Sequence, residues 1–117
     1  MSNHNEAHSA LVREIRIRLA GPGSDLVLWQ NQTGVAKFEG GSRVRYGLAK
    51  GSADLIGVLR PGGRFVALEI KTGAGTETDE QLLFLALVRN CGGFAAVVRS
   101  LDEAKEALQR AREGLSA

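Results

Sequence analysis

Glu69 and Lys71 stand two residues apart at the end of an otherwise apolar run, Phe65 to Ile70, and Asp54 precedes Glu69 by fourteen intervening residues. One or two carboxylates, with water and phosphate oxygens, are the usual means of holding Mg²⁺. Such an ion activates water and stabilises charge on a phosphoryl group. A lysine beside it can orient or deprotonate the attacking water, or stabilise the negative charge that develops. Asp54, Glu69 and Lys71 therefore carry the chemistry of a metal-dependent phosphodiesterase. The plainer alternative is a half-exposed strand end with a same-face ion pair, which is worth little at a surface.

Strand geometry separates the two alternatives. Side chains alternate faces, so Val66, Leu68 and Ile70 share one face and Phe65, Ala67, Glu69 and Lys71 the other. If Pro61 and Gly62 form a two-residue turn, Asp54 falls opposite Glu69 on the same face of an antiparallel hairpin. Facing carboxylates repel unless positive charge lies between them, and Lys71 neutralises only part of that charge. A divalent cation would satisfy both.

The elements that must position these groups are legible in outline. A helix is expected over about Glu6 to Ala20, with His8, Leu11, Val12, Ile15 and Leu19 on one side and Gly21-Pro22-Gly23 ending it. Strands are expected at Leu26–Trp29, weakly at Val35–Phe38 and Arg43–Tyr46, then at Asp54–Leu59 and Arg64–Lys71 around the Arg60–Gly63 turn. Thr78 and Gln81 have capping-box form, so a second helix starts there. It is apolar nearly all round from Leu82 to Val88, which predicts a buried helix packed on a sheet. Phe94–Val98 reads as an interior strand. Ser100 and Glu103 open a last helix, to about Glu113. Trp29 is expected in the core. The order predicts a small mixed α/β domain with a covered sheet, residues 1–117 forming one unit.

Bulk properties narrow the partners. The 117 residues carry a net charge of +2 and a single cysteine, Cys91, so neither an internal disulfide nor a cysteine-rich metal site is available. No run is long and apolar enough for a membrane span, and the start is no signal peptide, so a cytoplasmic protein is expected. Between Lys37 and Arg64 lie six Lys and Arg residues against Glu39 and Asp54 alone. Within that basic stretch, Arg43, Arg45 and Lys50 precede Asp54 and are candidates for contacts with DNA phosphates. The other possibility is an ordinary solvated face.

Spacing and order together resemble the PD-(D/E)XK nuclease superfamily, and most closely its virus-type replication-repair nuclease branch, the VRR-NUC domain. The similarity runs through HSALVREIRIRL, LWQNQTG, RVRYGLAKGSADLIGV, GGRFVALEIKTG and TDEQLLFLALVRNCGGFAAVVRS. The resemblance implies a restriction-endonuclease-like core and a Mg²⁺- or Mn²⁺-dependent DNA endonuclease. It implies Asp54, Glu69 and the backbone carbonyl of Ile70 as metal ligands, Lys71 as the catalytic lysine, and Gln81 as a glutamine near the site. A standalone domain of this size resembles phage and prophage members, which implies a homodimer acting on branched DNA such as four-way junctions. Two positions depart from the pattern. Ala53 stands where proline is usual before the aspartate. His8 stands where the first helix often carries glutamate, and it is either a further metal ligand or a packed core histidine. A non-catalytic nucleic-acid-binding module that has kept the fold is the rival expectation.

Overall fold

A computed structural model describes the chain from Asn3 to Ala117. Nine elements follow one another: α1 (Asn3–Leu19), β1 (Leu26–Gln30), β2 (Gly34–Lys37), β3 (Arg43–Tyr46), β4 (Leu55–Leu59), β5 (Arg64–Ile70), α2 (Asp79–Asn90), β6 (Phe94–Val98) and α3 (Leu101–Arg112). Four strands form a mixed sheet in the order β1-β4-β5-β6. The β1–β4 and β4–β5 pairs are antiparallel and β5–β6 is parallel. The parallel pair needs a crossover, and α2 supplies it. β2 and β3 pair only with each other, as a separate two-stranded ribbon.

The sheet is covered on both faces. On one side α1 contributes Val12 and Ile15, and α3 contributes Ala104, Ala107, Leu108 and Ala111, spaced as a helical stripe. They close over Leu55, Leu59, Val66, Leu68, Ile70, Phe94 and Val98. On the other side Leu85 and Val88 of α2 pack with Ala53, Ala67 and Ala95, small residues that let the helix approach the strands. β5 is central and covered twice, so every residue from Val66 to Ile70 is buried.

The hairpin register agrees with the sequence: Leu55 pairs with Leu68 and Leu59 with Arg64. The connection is the four residues Arg60 to Gly63 rather than two, about the same centre, so facing positions are unchanged.

Two expectations about burial fail. Of the apolar residues of α2 only Leu85 and Val88 are buried, while Leu82, Leu83 and Leu87 are exposed, Leu83 at 70%. A helix laid on a sheet buries one stripe, and no described element of this chain covers the outer face of α2. Trp29 is 52% exposed rather than in the core. It lies on edge strand β1, opposite in facing to the buried Leu26 and Leu28, where α2, which packs on β5 and β6, does not reach.

Candidate metal and phosphodiester site

The strand ends bring the chemistry-bearing residues to one place. Glu69 is the last but one residue of β5, and Asp54 immediately precedes β4, one step beyond the final paired residues. The backbone N–H of Ile70 donates to Asp54 Oδ2 at 2.8 Å, which fixes the Asp54 carboxylate at the sheet end. His8, on α1, reaches the same oxygen through Nε2 at 3.3 Å. His8, Asp54, Glu69, Ile70, Lys71 and Gln81 all line one cavity of about 260 Å³.

Glu69 is 2% exposed and is the one buried charged residue among those described. A surface ion pair is therefore not what stands here. Its Oε2 accepts from Gln81 Nε2 at 2.9 Å and lies 3.5 Å from Lys71 Nζ. Its Oε1 is buried and has no hydrogen-bond partner. Such an orphan is rare, because a desolvated oxygen left without a donor or a cation is costly.

Gln81 does two things with one amide. Its Oε1 accepts from the Thr78 N–H at 2.9 Å and its own N–H donates to Thr78 Oγ1 at 3.1 Å, which completes the capping box. The amide nitrogen remains free for Glu69. The capping function and the site function expected for this residue are thus compatible.

Burial pushes the Glu69 carboxyl up from its ordinary 4.5 to about 8; the Asp54 charge adds to the rise and the Lys71 ammonium opposes it. The folded chain holds this proton more tightly than the unfolded chain does. The associated stability is therefore fully present below about pH 4.5 and is lost as pH rises through about 8. In metal-free buffer, the melting temperature of the wild-type protein should fall relative to that of Glu69→Gln as pH is raised across this window. A constant difference between the two proteins would mean that Glu69 is ionised throughout.

Asn31, which lies in the LWQNQTG stretch but carries no assigned role there, holds the Asp54 segment. Its N–H donates to the Asp54 carbonyl at 2.8 Å, and its side-chain amide donates to Ser52 Oγ at 2.7 Å and the Ala53 carbonyl at 2.9 Å. Its signal in the sequence is its place in LWQNQTG, a polar residue directly after a β-prone run. Arg99 holds the opposite rim, donating to the Gly75 carbonyl at 2.7 Å.

The three DNA-contact candidates divide. Arg43 and Arg45 are exposed on the ribbon, where Lys37 pairs with Arg43 and Val35 with Arg45, so Lys37, Arg43 and Arg45 share one face. Lys50 is elsewhere and lies 3.4 Å from Glu80. Its loop is pressed on the start of α2 at Gly51, where a Cβ would come within 2.5 Å of the Glu80 carbonyl carbon. That pair is exposed on both sides, so Lys50 stays a candidate for phosphate contact beside the start of α2, and Lys37 joins Arg43 and Arg45 on the cationic face of the ribbon.

Among the described residues no group of three or more His, Cys, Asp and Glu side chains is arranged to hold a metal ion. Mg²⁺ does not require such a group; one or two carboxylates, with water and phosphate oxygens, suffice. The donors present are hard oxygens, one of them orphaned, which fits Mg²⁺ or Mn²⁺ and not a soft metal. No helix among the described residues is long and apolar enough to cross a membrane. No family model matches the chain, and no curated protein does.

Proposed function

We propose that this chain is a metal-dependent DNA endonuclease of the PD-(D/E)XK type, with its nearest likeness to VRR-NUC domains. The observation that carries the proposal is the buried Glu69, one oxygen held by Gln81 and Lys71 and the other without a partner, beside Asp54. Two carboxyl groups pressed together under burial are held by a shared proton or by a cation, and the hard-oxygen donors here suit Mg²⁺ once that proton leaves.

Asp54, Glu69 and the Ile70 carbonyl would hold the ion. When bound, Mg²⁺ or Mn²⁺ supplies neutralising charge for a phosphodiester and makes a water molecule more acidic. Lys71, only 15% exposed and aimed at Glu69, places its ammonium where negative charge grows on the phosphate, or exchanges a proton with the attacking water. Gln81 fixes the rotamer of Glu69. His8, with Nε2 already on Asp54, orients that carboxylate and supports ion binding from its side.

The ribbon would grip the DNA backbone. Lys37 and Arg43 are directly opposite, and like charges so placed cost stability unless an anion covers them. Replacing Lys37, Arg43 or Arg45 singly with alanine should weaken binding to all DNA sequences alike. Each should lower the slope of log affinity against log salt by about one counterion. Slopes at the wild-type value in all three ribbon variants would make the ribbon an ordinary solvated surface.

A homodimer cutting two strands of a branched substrate in the cytoplasm completes the proposal. Leu82, Leu83 and Leu87 on the outer face of α2 are the apolar surface a second copy would cover. The direct test is nicking of supercoiled plasmid with and without Mg²⁺, followed by single-stranded, duplex, flap and four-way junction DNAs. DNA binding with no cleavage in Mg²⁺ or Mn²⁺ would favour the non-catalytic binding module instead.

A further inference from the structure

A second cavity, of about 490 Å³, adjoins the carboxylate cavity and shares Asp54 and Gln81 with it. Its volume falls within the roughly 300–1,000 Å³ of small-molecule sites. Gln30, Gln32, Thr33 and Ser52 give it a wall of amides and hydroxyls, and Tyr46 gives it an aromatic ring. Asp54 is the one charged residue of its lining. A phosphate group is poorly served there, with a carboxylate and no cation. Neutral amides instead offer the paired donors and acceptors that match the edge of a nucleobase.

The ring is held as a platform. Tyr46 is paired across the ribbon with Gly34. A Cβ at Gly34 would come within 2.6 Å of the Tyr46 hydroxyl oxygen and 2.8 Å of its Cζ, so the ring lies across the glycine and uses the room left by the missing side chain. The residue is nonetheless 50% exposed. One side is backed by main chain and the rest is open, which is how stacking aromatics of single-strand binders are presented.

We infer that this cavity takes an unstacked nucleobase from the strand whose phosphate sits at Asp54 and Glu69, with the base on Tyr46 and its edge against Gln30 and Gln32. The inference rests on the nuclease proposal and adds its substrate class: DNA with an unpaired nucleotide beside the point of cleavage. A base in intact duplex must first leave the stack, at a cost that an already unpaired base avoids.

The test is fluorescence anisotropy in EDTA, where nothing is cut. A labelled fork with an unpaired arm is compared with a blunt duplex carrying the same number of phosphates. Wild type should bind the fork more tightly, and Tyr46→Ala should lose that preference by roughly 5- to 150-fold, the range of one base–aromatic stack. Tyr46→Phe should keep it, because the ring and not the hydroxyl is used. Gln32→Ala, which leaves the ring and Gly34 unchanged in sequence, should weaken fork binding and leave duplex binding unchanged. Fork preference unchanged in both Tyr46→Ala and Gln32→Ala overturns the inference, as does a Tyr46→Phe protein that loses as much as Tyr46→Ala. A parallel nicking assay in Mg²⁺ keeps the two proposals apart: cleavage by a wild-type protein without fork preference removes the base site alone, and fork preference without cleavage removes the nuclease.

Discussion

Glu69→Gln should abolish metal-dependent cleavage while making the metal-free protein more stable near pH 8. The two halves have one cause. The substitution removes the charge that would bind the ion and nearly keeps the shape, so the loss should be at least about a thousandfold, or ~4 kcal/mol of barrier. The same change removes a buried carboxyl whose ionised form is opposed by burial and by Asp54, so the folded state loses a cost that grows with pH. DNA binding should persist or strengthen, since a negative charge near phosphate is gone. Nicking rates, melting temperature and anisotropy on the same preparation check all three. A variant that is inactive and also melts far below wild type would indicate a damaged fold; a variant that still cuts would remove Glu69 from the chemistry.

Lys71→Met should reduce single-turnover nicking by about 10²- to 10⁴-fold at saturating Mg²⁺ with little change in fold. Lys71 lies 3.5 Å from Glu69 Oε2 and lowers the pKa of that carboxyl, so its loss should also weaken metal binding by leaving Glu69 more protonated. Saturating metal isolates the first effect from the second. Lys71→Arg separates the two tasks open to the ammonium. Guanidinium keeps the charge but does not release a proton near neutral pH. Partial activity in Lys71→Arg would assign charge stabilisation, and a rate as low as that of Lys71→Met would assign proton transfer. A Lys71→Met rate within tenfold of wild type would leave the lysine as a mere partner of Glu69.

Much of the site is legible in the sequence because it depends on local rules. The Arg60–Gly63 connection, centred on Pro61-Gly62, sets the register, alternation sets the face, and together they bring Asp54 opposite Glu69. The capping pattern places Gln81 at the third position of α2, from which its amide reaches β5. What is not legible depends on tertiary neighbours. The apolar density of α2 predicts burial, yet one helix on a sheet hides only one stripe, so Leu82, Leu83 and Leu87 stay outside. Trp29 reads as core by residue type, but nothing local shows that β1 is an edge strand beyond the reach of α2. Lys50 groups with Arg43 and Arg45 by proximity along the chain. The close approach of Gly51 to Glu80 sets Lys50 beside the start of α2 rather than on the ribbon, and the ribbon register adds Lys37 to the face of Arg43 and Arg45. Asn31 holds Asp54 through bonds to residues more than twenty positions away, a relation that composition and periodicity do not carry.

The most direct measurement is the anomalous scattering of Mn²⁺ in a crystal of the wild-type protein soaked near neutral to slightly alkaline pH, where a bound ion displaces the Glu69 proton. A single strong peak is expected within ligand distance of Glu69 Oε1 and the Asp54 carboxylate, absent from Glu69→Gln crystals treated identically. Mn²⁺ density confined to other surface carboxylates, with the Asp54–Glu69 pair left bare, would contradict a metal-dependent nuclease site at these residues.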